Sequence, residues 1–187
     1  MLAFYDAVVT TLNNCFMNRF KKNKIKQAEK TIRQAFAQNV YPGNNDLLRS
    51  QCGYPEEIKL LTTFTDKNWQ DISLDRLENC DYYLALFSKN ALHYYLPAFL
   101  IMTLKHYYNP KADNIVSDTI VTLMPFMRKH NLGIRASWLE ETVKGLTQEQ
   151  MEAIKLFLET VVEVYDDWAV EALDHFWRNP SINKQEA

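Results

Sequence analysis

From Thr147 onward the chain sets Met151, Ile154, Leu158, Val161, Tyr165, Trp168 and Ala172 at alternating steps of three and four residues. A spacing averaging about 3.5 residues is that of a helix holding one apolar side against a neighbour. Phe157, Val162, Ala169, Leu173 and Phe176 widen that side beyond a narrow coiled-coil seam. Thr147 with Gln150 has the spacing of a capping box, in which two side chains satisfy the orphan amides of a first helical turn. The pattern predicts a helix over 148–177 that forms the spine of its own bundle, or alternatively the seam of a dimer.

Four glycines in 187 residues leave few positions for left-handed backbone, so hairpin-rich folds and phosphate-cradling loops lose ground. The 47% hydrophobic and 24% charged residues are those of a globular chain that can bury a core. The length suits one domain, expected over 1–178, with a polar tail at 179–187. The expected fold is an all-α, single-domain bundle of about six to eight helices.

Helix signals recur along the chain. Val8, Leu12, Phe16 and Phe20 predict a helix face over 4–20, and Ile25, Ala28, Ile32 and Phe36 continue it over 24–38. Tyr41-Pro42-Gly43 reads as a type II turn. Pro55 with Glu56 and Glu57 opens a short helix over 55–64, its carboxylates placed well for the helix dipole. Ser73 caps a short helix to about Tyr83, and Ser88 a longer one to Tyr107 that Pro97 interrupts. Asn109-Pro110 starts a helix towards Leu123, while Ser137 with Glu140 caps a short helix that Gly145 closes.

The chain lacks the motifs GxxxxGK[ST], GxGxxG, HExxH and GxSxG. Asn90, Thr103, Met127 and Ala172 stand where a di-iron bundle would place a glutamate before His93, His106, His130 and His175. No cysteine or histidine has a zinc-like neighbour, so no metal and no cofactor is expected. Glu171 one turn before His175, beside Asp167 and Asp174, reads as an acid–base pair or as a plain charged pair at a helix end. Arg19, Lys22, Lys26, Lys30 and Arg33 form a basic ridge, while Glu152, Glu159, Glu163 and Asp166 form an acidic one. Such ridges are usually solvated faces. Nucleic-acid binding is not expected, because an acidic C-terminal half would repel phosphates.

The segment 82–108 concentrates aromatic residues together with His93 and His106. Inside a helix, Pro97 withholds a donor and pushes away the carbonyl of His93. That leaves a candidate polar–aromatic notch of His93, Tyr94, Tyr95, Pro97 and His106 for a small molecule. The alternative is that these side chains are core residues whose polar tips find internal partners. His93 and His106 lie about 220° out of phase on an ideal helix, so a shared site would need a sharp bend.

The run Ser88-Lys89-Asn90-Ala91-Leu92-His93-Tyr94-Tyr95-Leu96-Pro97-Ala98-Phe99-Leu100 resembles the signature of a bacterial family known only as a domain of unknown function. Ala35-Phe36 with Tyr41-Pro42-Gly43-Asn44 is similar to that family's opening turn, and Lys67-Asn68-Trp69 with Leu74 to its tryptophan motif. Leu146-Thr147-Gln148-Glu149-Gln150, Ala153-Ile154 and Phe157-Leu158 resemble its final helix, so the resemblance covers about residues 30–165. Family members often carry paired cysteines after the opening turn, where this chain has only Cys52. The resemblance implies no activity.

Cys15, Cys52 and Cys80 read as reduced thiols of a cytoplasmic protein. Asp6 interrupts any signal-like start, and the apolar stretch from Leu92 to Leu104 is too short to span a membrane. The expected function is non-enzymatic: a protein-binding or regulatory module, of accessory or immunity type, engaging another protein or a second copy of itself. The competing expectation is a small-molecule or enzymatic site in the notch around Pro97.

Overall fold

A computed structural model describes residues 2–77, 83–124, 143–165 and 169–178, with side chains from Arg19 onward except those of Tyr83, Glu171, His175 and Phe176. The chain opens with α1 (Leu2–Ala35), followed by α2 (Pro55–Phe64), α3 (Leu74–Leu77), α4 (Tyr83–Leu86) and α5 (Lys89–His106). After α5 come α6 (Asp113–Thr122), α7 (Gln148–Tyr165) and a short α8 (Val170–Ala172), which continues as a π turn over Leu173–Trp177. Short 3-10 turns stand at Asn44–Asp46, Trp69–Asp71 and Pro110–Ala112. Among the described residues there is no strand; Leu48 and Phe87 make one isolated antiparallel bridge. The fold is an all-α bundle.

Local capping chemistry sets several boundaries. Ser88 accepts from the Ala91 amide at 3.0 Å and starts α5. Asn109 accepts from the Lys111 amide at 3.1 Å, and Pro110 follows as the first residue of the turn into α6. At α7 both halves of the capping box form: the Gln150 amide donates to Thr147 Oγ1 (3.2 Å) and the Thr147 amide to Gln150 Oε1 (3.0 Å).

Two expectations, the type II turn at Gly43 and the unbroken helix over 148–177, need correction. The helical pattern expected over 4–20 and continued over 24–38 is one helix, Leu2–Ala35, with neither proline nor glycine at Lys21-Lys22-Asn23 to break it. Gly43 does take positive φ (88°), but its ψ of 156° is an extended, glycine-only conformation and not a type II turn. The helix expected from Ser73 to about Tyr83 is described over Leu74–Leu77, residues 78–82 lie outside the described residues, and Tyr83 begins α4. The helix over 148–177 is described in two pieces, since Ala169 lies in a turn. The widened turn after α8 carries Trp177, whose indole donates to the Leu123 carbonyl at 2.8 Å. The capping box at Ser137 and Glu140, the polar tail, and Asp166, Asp167 and Trp168 lie outside the described residues.

One contiguous cluster forms the core. Helix α7 lies along α1, and both contribute fully buried side chains, Ala28, Ile32 and Phe36 from one segment and Ile154, Leu158 and Val161 from the other. Helix α5 is buried over most of its circumference, from Ala91 to Leu104. Phe64, Phe87, Tyr95 and Phe99 interlock at its centre with ring centroids 4.7–6.3 Å apart. Among the described residues no helix is long and apolar enough to cross a membrane.

Candidate functional site

Pro97 does not interrupt α5 as expected: the helix runs unbroken through it, although proline has no N–H to offer the carbonyl four residues earlier. That carbonyl, on His93, accepts instead from the side-chain amide of Asn39, just beyond α1, at 2.6 Å. Asn39 Oδ1 in turn accepts from Gln150 Nε2 at 2.8 Å, while Gln150 Oε1 is held by the Thr147 amide. The end of α1, the first half of α5 and the start of α7 are thus joined through two amide side chains used at both ends. A network satisfied in this way rigidifies the surface above it.

Above the network lies an open groove with a volume of about 1080 Å³. Its walls are the last turns of α1, the Val40–Pro42 turn, His93 and Tyr94 of α5, and the Gly145–Glu152 segment. Val40 stands at the rim, 85% exposed. A Cβ on Gly145 would lie 2.2 Å from His93 Cε1, so only glycine lets the imidazole rest against the chain there. Tyr41 meets Tyr94 edge-on, with centroids 5.4 Å apart. The Tyr41 hydroxyl donates to the Asn44 side chain and accepts from the Asp66 amide at 3.0 Å. Burial pushes the Tyr94 phenol above its usual range, with the nearby Tyr41 and Asp71 adding to the rise. The Tyr94 phenol therefore stays neutral at ordinary pH.

Of the candidate notch residues, the structure brings His93 and Tyr94 to the groove and sends the others elsewhere. Tyr95 is wholly buried; its ring stacks on Phe87 at 5.3 Å, and its hydroxyl lies 2.7 Å from the Phe64 carbonyl and 2.8 Å from that of Lys67. Burial raises that phenol far out of its ordinary range. Pro97 is also buried and acts on the groove only through the carbonyl it frees. His106 closes α5, about 20 Å along the helix from His93 at 1.5 Å per residue. The two imidazoles do not share a site.

A proline within a helix announces a carbonyl in need of a donor, but the donor's identity, Asn39, is a tertiary fact that no local pattern carries. Gly145 read as a helix end, and its close approach to His93 was equally hidden. The side chains of Glu171 and His175 lie outside those described, while Asp174 pairs with Arg178.

The only acidic or basic side chains among the described lining residues, His93 aside, are Glu149 and Glu152. A hydrogen bond from its own backbone amide and another from the Thr147 hydroxyl hold the Glu149 carboxyl below its ordinary range. Gln148 Nε2 donates to Glu152 Oε1 at 3.1 Å. Elsewhere, Lys22, Lys26 and Lys30 of the basic ridge are exposed. Arg33 is partly covered, paired with Glu29 at 2.9 Å and lying over the Trp69 ring at 6.0 Å. Among the described residues no group of three or more histidines, cysteines or acids is placed to hold a metal.

A family model described as a family of unknown function (DUF6714) matches residues 10–181, a span wider than the core of about 30–165 expected from the motifs. No curated protein and no solved structure matches the chain.

Proposed function

The chain belongs to DUF6714, a family of unknown function, and we propose that this member is a protein-binding module whose partner docks in the groove between α1, α5 and α7. The observation that carries this reading is the groove itself: about 1080 Å³, open along its length and floored by a satisfied amide network. Pockets for small ligands enclose most of the ligand within roughly 300–1,000 Å³. An open groove slightly above that range suits a segment of another protein better. Its lining supports the same conclusion. Gln34 and Gln38 are exposed, and amides both donate and accept, as peptide groups require. Val40 and Pro42 add an apolar rim, while Tyr41 and Tyr94 supply rigid aromatic surface.

The small-molecule alternative loses support, since Tyr95, Pro97 and His106 do not line the groove. A reducing, cytoplasmic setting suits the exposed thiol of Cys52 and belongs to the same proposal.

Site-specific photo-crosslinking in cells tests the reading. A crosslinker at Gln38 or Val40 should trap one defined protein, and one at the exposed Tyr54 just before α2 should not. Trapping that is the same from all three positions would overturn it, and so would trapping from none.

A further inference from the structure

We infer that the segment taken by this groove is extended and carries a lysine or arginine that seats against Glu149 and Glu152 at the start of α7. The inference rests on the groove being the docking site. Among the described lining residues these are the only two carboxylates and none is a lysine or arginine, Lys89 standing beside Gly145 at the His93 end of the wall. Both carboxylates are exposed, and each keeps acceptor positions beyond the contacts it already makes. An incoming cation therefore gains charge-assisted bonds there, whereas an acidic segment meets like charge.

The opposite wall favours an extended backbone. Gln34 lies in the last turn of α1 and Gln38 in the turn that follows it, and neither side-chain amide has a partner among the described residues. From Thr31 to Ala35 the helical wall rises about 6 Å and the turn through Gln38 lengthens it, enough for at least two residues of extended chain. Two free amides along that length can pair with alternating peptide groups, and Val40 then offers an apolar contact beyond them.

The test uses the full chain and a displayed library of random peptides. Selected peptides should share a lysine or arginine at one position. Their binding should weaken about tenfold in the double variant Glu149→Gln and Glu152→Gln, the loss expected of a charge-assisted contact. Glu149→Lys with Glu152→Lys should invert the preference towards acidic peptides. Val40→Asp, at an 85% exposed position, should abolish binding with the far-UV spectrum unchanged. Peptides that lack a basic position yet are lost in Val40→Asp would overturn this inference and leave the groove reading standing. Peptides indifferent to Val40→Asp, or no enrichment at all, would overturn both.

Discussion

Asn39 donates to the carbonyl of His93 at 2.6 Å, across 54 residues of sequence, and so fills the vacancy that Pro97 creates inside α5. A buried carbonyl deprived of its donor costs about 1–3 kcal/mol. Asn39→Ala should lower stability by that order. In a Pro97→Ala background residue 97 regains an N–H that can reach His93, and Asn39→Ala should then cost measurably less. Chemical denaturation of the four proteins gives the coupling. Additive costs would mean that Asn39 acts only through Gln150.

Gly145 has ordinary backbone but no room for a side chain, because the His93 ring occupies the Cβ direction. Gly145→Ala should therefore destabilise by about 1–3 kcal/mol through overpacking. Removing the ring should relieve the clash, so Gly145→Ala should cost little in a His93→Ala background. A thermal melt of the single and double variants checks this.

Glu57 gathers the loop before α2. Its carboxylate accepts from the Cys52 amide (2.9 Å), the Gly53 amide (2.7 Å), the Tyr54 amide (3.3 Å) and the Ser50 hydroxyl (2.9 Å). Burial alone would raise its pKa, but these four donors outweigh that and pull it below the ordinary 4.5. A carboxyl with a depressed folded pKa contributes its stability in full above 4.5 and loses it as pH falls through the folded value. Acid should thus weaken the wild type from about pH 4.5 downward, and Glu57→Gln should flatten that limb of the pH profile. The Cys52 and Gly53 amides should also exchange faster with solvent in the variant.

These contacts mark the boundary of what was legible. Ser88, Asn109-Pro110, Pro55 and the Thr147–Gln150 box were readable because capping is settled within four residues. The apolar seam at Ile154, Leu158 and Val161 was readable because its period is that of a helix. Helix α5 gave no period, since a segment buried on most sides is apolar at most positions. Glu57 was readable as a first-turn acid, but its catch of three amides depends on Gly53 at φ 77°. At the groove, His93 and Tyr94 were found from composition, whereas Asn39 and Gly145 acquire their parts only when α1, α5 and α7 meet.

The basic ridge should be nearly silent in folding. Lys26 and Lys30 are exposed, and exposed charges contribute roughly 0–1 kcal/mol. Lys26→Glu with Lys30→Glu should leave the denaturation midpoint almost unchanged. The wild type should not retain duplex DNA or RNA even at low salt, where counterion release favours binding most. Tight, salt-sensitive retention lost in the double variant would make the ridge a nucleic-acid surface.

The seam between α1 and α7 sets an apolar contribution against an ionic one. Leu158 is fully buried, and truncating it to alanine should cost about 2–5 kcal/mol, as core cavities do. Lys24 and Glu163 pair across the same two helices, but both are partly exposed, so solvent screens them and Glu163→Gln should cost under about 1 kcal/mol. Urea denaturation of Leu158→Ala and Glu163→Gln at low and high salt separates the two. The leucine variant should show the same large loss at both salt concentrations. The small loss in the glutamine variant should fade as salt rises, because screening has already removed the attraction. The reverse order of costs would mean that charge, and not the apolar seam, holds α7 to α1.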